Sequence, residues 1–146
     1  MIRIKNKYYK IHWEVNMYTV KETAKMLNLS EYTIRYYTDE GLVPNLIRDK
    51  NNNRLFDDTA INWLIGIKYL KDCGMSIKSI KTYIDLCLKG DDTIKERYEI
   101  ILKQKEIAIS QLEEAKQRVL YMENKIKHYT DIIDKRINDD TNPGEW

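Results

Sequence analysis

The side chains with most chemistry to offer stand in two short stretches. The first runs Ser30-Glu31-Tyr32-Thr33-Ile34-Arg35-Tyr36-Tyr37, and the second runs from Arg48 through Lys50 and Asn53 to Arg54-Leu55-Phe56. An arginine fork matches a phosphate, or the paired acceptors on a guanine edge, with two parallel hydrogen bonds. A tyrosine presents a flat apolar ring with a hydroxyl at its tip. Cations and aromatic rings interleaved in this way suit nucleic acid. No nucleophile–base pair, glycine-rich phosphate loop or metal-ligand spacing occurs, so neither an enzyme nor a bound cofactor is expected.

These residues need elements to position them. Thr19-Val20-Lys21-Glu22 is a capping box, which predicts a helix from Val20 whose apolar face carries Val20, Ala24 and Leu27. Asn28 and Leu29 make a turn. Ser30 then caps a second helix running to about Glu40, which Gly41 ends. Ile34 and Tyr37 face inward on that helix, leaving Glu31, Tyr32, Thr33, Arg35 and Tyr36 outward, with Ser30 at its head as a further candidate contact. Two short helices about a tight turn form a helix-turn-helix, whose second member enters the major groove of a duplex.

After Pro44, Leu46-Ile47-Arg48 and Arg54-Leu55-Phe56 read as strands of a small hairpin. It has no core of its own and must lean on the helices. Arg48, Lys50 and Arg54 project from its tip and make this a wing for gripping phosphates, with Asn53 and Phe56 beside them as further candidate DNA contacts. Asp57 and Asp58 begin a third helix over about 58–73, ended by Gly74. Ser76 begins a fourth over about 77–89, with a stripe of Ile77, Ile80, Ile84 and Leu88.

From Asp92 onward the chain runs some forty residues without glycine or proline. Positions 94, 98, 101, 105, 108, 112, 115, 119, 122, 126, 129 and 133 alternate steps of four and three. They hold Ile94, Tyr98, Ile101, Lys105, Ala108, Leu112, Ala115, Val119, Met122, Ile126, Tyr129 and Ile133. Eleven of the twelve are apolar, the pattern of a coiled-coil seam, with Lys105 the exception that sets register. At about 1.5 Å per residue the rod is roughly 60 Å long, more than the small head covers. It therefore needs a partner, most simply a second copy of the chain, with a heterologous coiled-coil partner as the alternative.

Taken together, these segments resemble the MerR family of bacterial transcriptional regulators. The resemblance rests on Thr19-Val20, Arg35-Tyr36-Tyr37, Gly41-Leu42-Val43-Pro44, Arg48, Asn53-Arg54-Leu55-Phe56 and Gly74-Met75-Ser76-Ile77-Lys78-Ser79-Ile80. The family pattern places glycine and tyrosine before the wing arginine and another tyrosine at position 56. Here two asparagines and Phe56 occupy those places.

The resemblance implies a mostly α fold: a winged helix-turn-helix head over 17–90 with a small two-stranded wing and two connecting helices, and an antiparallel coiled-coil dimerisation helix over 91–136. It also implies a homodimer on a pseudo-palindromic site in double-stranded promoter DNA. Such a dimer bends and untwists the promoter spacer, and reaches RNA polymerase only through that DNA. The rival reading is a coiled-coil adaptor whose head binds protein.

The stretch from Lys68 through Gly90 to Tyr98 resembles the subgroup that answers aldehydes and related electrophiles through a cysteine in the third helix. Tyr69 stands at that cysteine's place and Cys73 lies one turn on, as a candidate sensor, its alternative being an inert packed thiol. Cys87 is expected in the core.

The totals fit this picture without dictating it. Twenty-five basic residues against 23 acidic ones leave a net charge of +2, too even for a protein that coats nucleic acid indiscriminately. Two cysteines with thirteen residues between them suit neither a disulfide scaffold nor a metal knuckle, and no apolar run reaches the ~18 residues of a membrane span. The expected setting is the bacterial cytoplasm.

Residues 1–16 carry four basic residues and one acid, and Ile2, Ile4, Tyr9, Ile11 and Trp13 come near to strand alternation. Trp13-Glu14-Val15-Asn16-Met17 is encodable by a message containing a ribosome-binding sequence, which makes Met17 the expected native start and residues 1–16 translated leader. The alternative is a basic arm against the DNA backbone. Residues 137–146 form a polar tail.

Overall fold

The computed structural model describes residues 2–4 and 15–139. In chain order it contains β1 (Ile2–Ile4), β2 (Val15–Thr19), α1 (Val20–Leu27), α2 (Glu31–Asp39), β3 (Ile47–Arg48), β4 (Arg54–Phe56), α3 (Asp58–Asp72), α4 (Ile77–Lys89) and α5 (Ile94–Ile133). The chain divides into two compact units, Met1–Gln104 and Lys105–Trp146.

Each of the helices α1 to α4 begins where a side chain can accept an orphan backbone N–H. Thr19, Ser30, Asp57 and Ser76 accept from the N–H of Glu22, Thr33, Ala60 and Ser79. At Thr19 the box is reciprocal, since the Thr19 N–H donates back to Glu22 Oε2 at 2.8 Å. That donation is the chief reason the Glu22 carboxyl is held well below its usual range.

Three helices end the same way, with a left-handed residue followed by an apolar one whose N–H reaches back to the last turn. Leu29 donates to the Ala24 carbonyl after Asn28, Leu42 to Tyr37 after Gly41, and Met75 to Leu70 after Gly74. Each motif closes a helix and drives an apolar side chain inward, and Leu42 and Met75 are fully buried.

The core gathers Val20, Ala24, Leu27, Ile34, Tyr37, Leu42, Val43, Phe56, Ala60, Ile61, Leu64, Ile67, Met75, Ile80 and Ile84. Lys68 adds a non-local tie, its Nζ donating to the Leu27 carbonyl at 2.8 Å and pinning α3 to the end of α1.

Several sequence-derived expectations change. The wing, expected as two strands leaning on the helices, is part of an antiparallel four-stranded sheet ordered β1-β2-β4-β3. β2 pairs Tyr18 with Phe56 and Thr19 with Leu55, and β1 covers its other edge through Ile2–Met17 and Ile4–Val15 register. β2 starts at Val15 and buries Met17, so this strand runs across the expected boundary at 16/17. Tyr9, Ile11 and Trp13 lie outside the described residues.

In α4 the buried apolar residues are Ile80, Ile84 and Leu86; Ile77 is partly buried and Leu88 is exposed. The long helix starts at Ile94 rather than at Asp92, which lies inside a 3₁₀ turn over Asp91–Thr93. The buried Thr93 hydroxyl secures that turn, donating to the Leu86 and Gly90 carbonyls at 2.6 and 2.8 Å. The first unit extends beyond Gly90 because Ile100 packs on the core and Gln104 Nε2 donates to the Cys73 carbonyl at 2.7 Å.

α5 is a continuous helix of 40 residues with no buried side chain. Among the described residues no helix is long and apolar enough to cross a membrane, and no group of His, Cys, Asp and Glu could hold a metal ion.

Candidate nucleic-acid interface

The period of α2 sorts its side chains. Ile34 and Tyr37 enter the core, and burial pushes the Tyr37 phenol upward. Tyr32, Arg35 and Tyr36 stand on the opposite side. Tyr32, 77% exposed, lies parallel to Tyr36 with ring centroids 6.4 Å apart and planes 2° apart. Two stacked phenols one turn apart make an apolar strip edged by hydroxyls, fit for a thymine methyl and a neighbouring base or phosphate.

Arg35 Nη2 donates to Glu31 Oε2 at 3.0 Å, an exposed pair one turn apart and of the class worth only about 0.3–0.5 kcal/mol. The pair aims the guanidinium while leaving it easily redirected to a duplex. Ser30 and Thr33 stand at the head of this face. The Ser30 hydroxyl accepts from the Thr33 N–H at 3.0 Å and shares a 2.8 Å bond with the Thr33 hydroxyl.

The wing turn is built around Asp49. Its Oδ1 accepts from the N–H of Asn51 and of Asn53, both at 2.8 Å, and its Oδ2 accepts from Asn53 Nδ2 at 2.9 Å. Asn53, the largest contributor, holds the Asp49 carboxyl below its ordinary range. Asn52 supplies the left-handed residue at φ 64°. Arg48 Nη1 donates to the Asn52 carbonyl at 3.0 Å, and Lys50 stands exposed in the turn. An asparagine-rich turn is thus a hydrogen-bonded scaffold for two cations.

The sequence reading places Arg54 and Phe56 wrongly in part. Phe56 is 0% exposed, because β4 lies between β2 and β3 and sends this ring into the core. It therefore takes no direct part in touching a duplex. Arg54 does not project from the tip with Arg48 and Lys50. It turns toward α2, ion-pairs with Asp39, and keeps 16% of its side chain exposed, with Nε buried and without a partner. It straps the wing to the recognition helix.

Between these parts lies a cleft of about 320 Å³, lined by Thr19, Val20, Lys21, Glu31, Arg35, Asp49, Asn52, Asn53, Arg54 and Leu55. It joins the first turn of α1, the start of α2 and the wing turn. Lys21, Glu31 and Asp49 belong to this site and were missed as contributors. Lys21 was hidden by its place in the capping box, and the two acids by their sign.

Cys73 caps the end of α3 and is exposed, so it is not a packed thiol. Cys87 is half-buried and not fully in the core. Tyr69 beside Cys73 is exposed as well.

The family model of the MerR HTH family regulatory proteins matches residues 18–87. An uncharacterized HTH-type transcriptional regulator of Haemophilus influenzae is 38% identical over 112 residues, covering 77% of this chain and 83% of that one. The HTH-type transcriptional regulator AdhR of Bacillus subtilis is 31% identical over 87 residues, covering 60% of this chain and 62% of AdhR. Among solved structures, HiNmlR, a MerR family regulator lacking the sensor domain and bound to promoter DNA, superposes with a TM-score of 0.69. It is 37% identical and covers 80% of this chain and 93% of that one. A helix-turn-helix with its wing strapped alongside, matched over its whole extent, settles the family: the chain belongs to the MerR family of helix-turn-helix transcriptional regulators.

Proposed function

We propose that the protein is a sequence-specific, homodimeric regulator that binds a pseudo-palindromic promoter site in the bacterial cytoplasm. It acts on RNA polymerase through the DNA alone. The observation that carries this reading is the shared cleft. Arg35 on α2 lines it together with Asp49, Asn52 and Asn53 of the wing turn. The Tyr32–Tyr36 strip extends the same helix and Arg48 and Lys50 the same turn, so base edges and flanking phosphates are met together.

Asn53 supplies a polar contact in the cleft, and Ser30 and Thr33 supply polar contacts at the head of α2. Arg54 acts first as a strap and Phe56 only as core. The apolar seam of α5 joins two copies antiparallel, presenting two recognition helices to successive major-groove segments. Distorting the spacer costs roughly 1–6 kcal/mol, offset by phosphate contacts from both wings. An effector biases the dimer between two head geometries.

Selecting duplexes from a random library, then titrating the winner against salt, tests the reading. A preferred two-fold sequence is expected, with affinity falling steeply as salt rises and markedly weakened in Arg35→Ala. A head that binds every duplex alike, or an Arg35→Ala protein that binds unchanged, would leave the adaptor reading in its place.

For the effector, the likeness to AdhR and the exposure of Cys73 at the end of α3 favour a reactive electrophile. Aldehyde treatment should then change promoter output in the native protein and not in Cys73→Ser, while both bind DNA equally. An unaltered response in Cys73→Ser would remove Cys73 from the sensor role.

A further inference from the structure

We propose that two copies of α5 pair in one particular register, centred between Glu113 and Glu114; this rests on the homodimer reading above. The seam has the same spacing from either end. About that centre Ile94 falls opposite Ile133 of the partner subunit, Tyr98 opposite the partner's Tyr129, and Ile101 opposite the partner's Ile126. Like therefore meets like in the outer layers. Nearer the centre, small meets large. Ala108 faces the partner's Val119, and Leu112 faces the partner's Ala115, which keeps the layer volumes even.

Lys105, the one polar seam residue, falls opposite the partner's Met122. An unbranched thioether can lie along the lysine stem while the ammonium reaches solvent. The C-terminal end of the seam most needs cover, since Ile126 is 65% and Ile133 77% exposed.

Sliding one helix by a heptad in either direction worsens the fit. One slide sets Arg97 opposite the partner's Lys125 and leaves Tyr129 and Ile133 beyond the end of the partner helix. Lys95 then gains the partner's Glu123, which offsets the charge but not the lost layers. The other slide brings Arg118 and Lys116 each against its own copy and uncovers Ile94 and Tyr98. In the proposed register no like charges flank the seam. Charge at these flanking positions is what commonly fixes partner orientation in coiled coils.

Two single-cysteine proteins test it, Tyr98→Cys and Tyr129→Cys, each in the full chain with Cys73→Ser and Cys87→Ser. Mixed and oxidised, they should give a covalent dimer whose linked peptides join positions 98 and 129, while neither links to itself. Preferential linkage in a Tyr98→Cys with Met122→Cys mixture, or in an Ile101→Cys with Ile133→Cys mixture, marks a displaced register and overturns the proposal. So does a dimer, by sedimentation, that links in none of the mixtures. A cysteine-free chain that sediments as a monomer overturns the homodimer reading itself. A second measurement uses Lys105→Met, expected to raise the dimer's midpoint of thermal unfolding without changing its mass.

Discussion

The head and the rod treat their apolar residues in opposite ways. In the head, Ile34, Leu42, Phe56, Leu64 and Ile80 are all fully buried inside one chain. In α5, forty residues bury none, although Leu112, Val119, Met122 and Ile126 are as apolar as anything in the head. The first pattern completes itself in a single copy. The second leaves a stripe whose burial at ~25 cal/mol per Å² waits for another helix. One chain thus contains a finished reading unit and an unfinished joining unit.

The sharpest way to break this contrast is to charge the stripe. Leu112→Glu with Val119→Glu should convert a dimer into a monomer by sedimentation, leaving head circular dichroism intact. Affinity for a two-half-site duplex should fall by ~10²–10⁴-fold, the gain that joined binding modules commonly give.

Emptying the head is the converse. Ile34→Ala should destabilise the head by ~2–5 kcal/mol in denaturant unfolding, because a fully buried side chain leaves a cavity. Dimer mass should persist if joining is confined to α5.

Within the reading unit, Arg35 and Arg54 separate contact from support. Arg35→Ala should cost ~1–3 kcal/mol of duplex affinity and nothing measurable in stability. Arg54→Gln should lower thermal stability as well, since it unties β4 from Asp39.

The smallest effect belongs to Asp49. Asp49→Ala should loosen the wing turn and weaken binding a few-fold. Because the folded carboxyl is held below its usual range, its contribution is complete above the unfolded value. It is lost as pH falls through the lowered folded one. The Asn51 and Asn53 amide signals should move together in an acid titration.

What could be read from the sequence is what neighbours in the chain decide. Capping boxes, left-handed helix ends and the seam are spacings of three or four residues. They placed α1, α2 and α4 to within a residue or two, and α5 to within three at each end. What could not be read is what distant residues decide. The Arg54–Asp39 strap spans fifteen positions, and the Lys68 tie to Leu27 spans 41. Phe56 was misread because a wing-end aromatic looks alike whether it faces a duplex or a core. Only the pairing of β2 with β4 fixes which side it takes. Leu86 and Leu88 differ by two positions on one helix, and only the body packed beside α4 chooses between them.

The burial of Phe56 has a bearing on engineering. A designer wishing to change specificity would be tempted to transplant a foreign wing as a cassette from Ile47 to Phe56. The last residue of that cassette is a keystone of the scaffold, so such chimaeras would conflate altered recognition with a weakened host. Cutting the exchange at Arg48 and Asn53 retains the keystone and its strap, and lets the transplanted tip be judged on recognition alone.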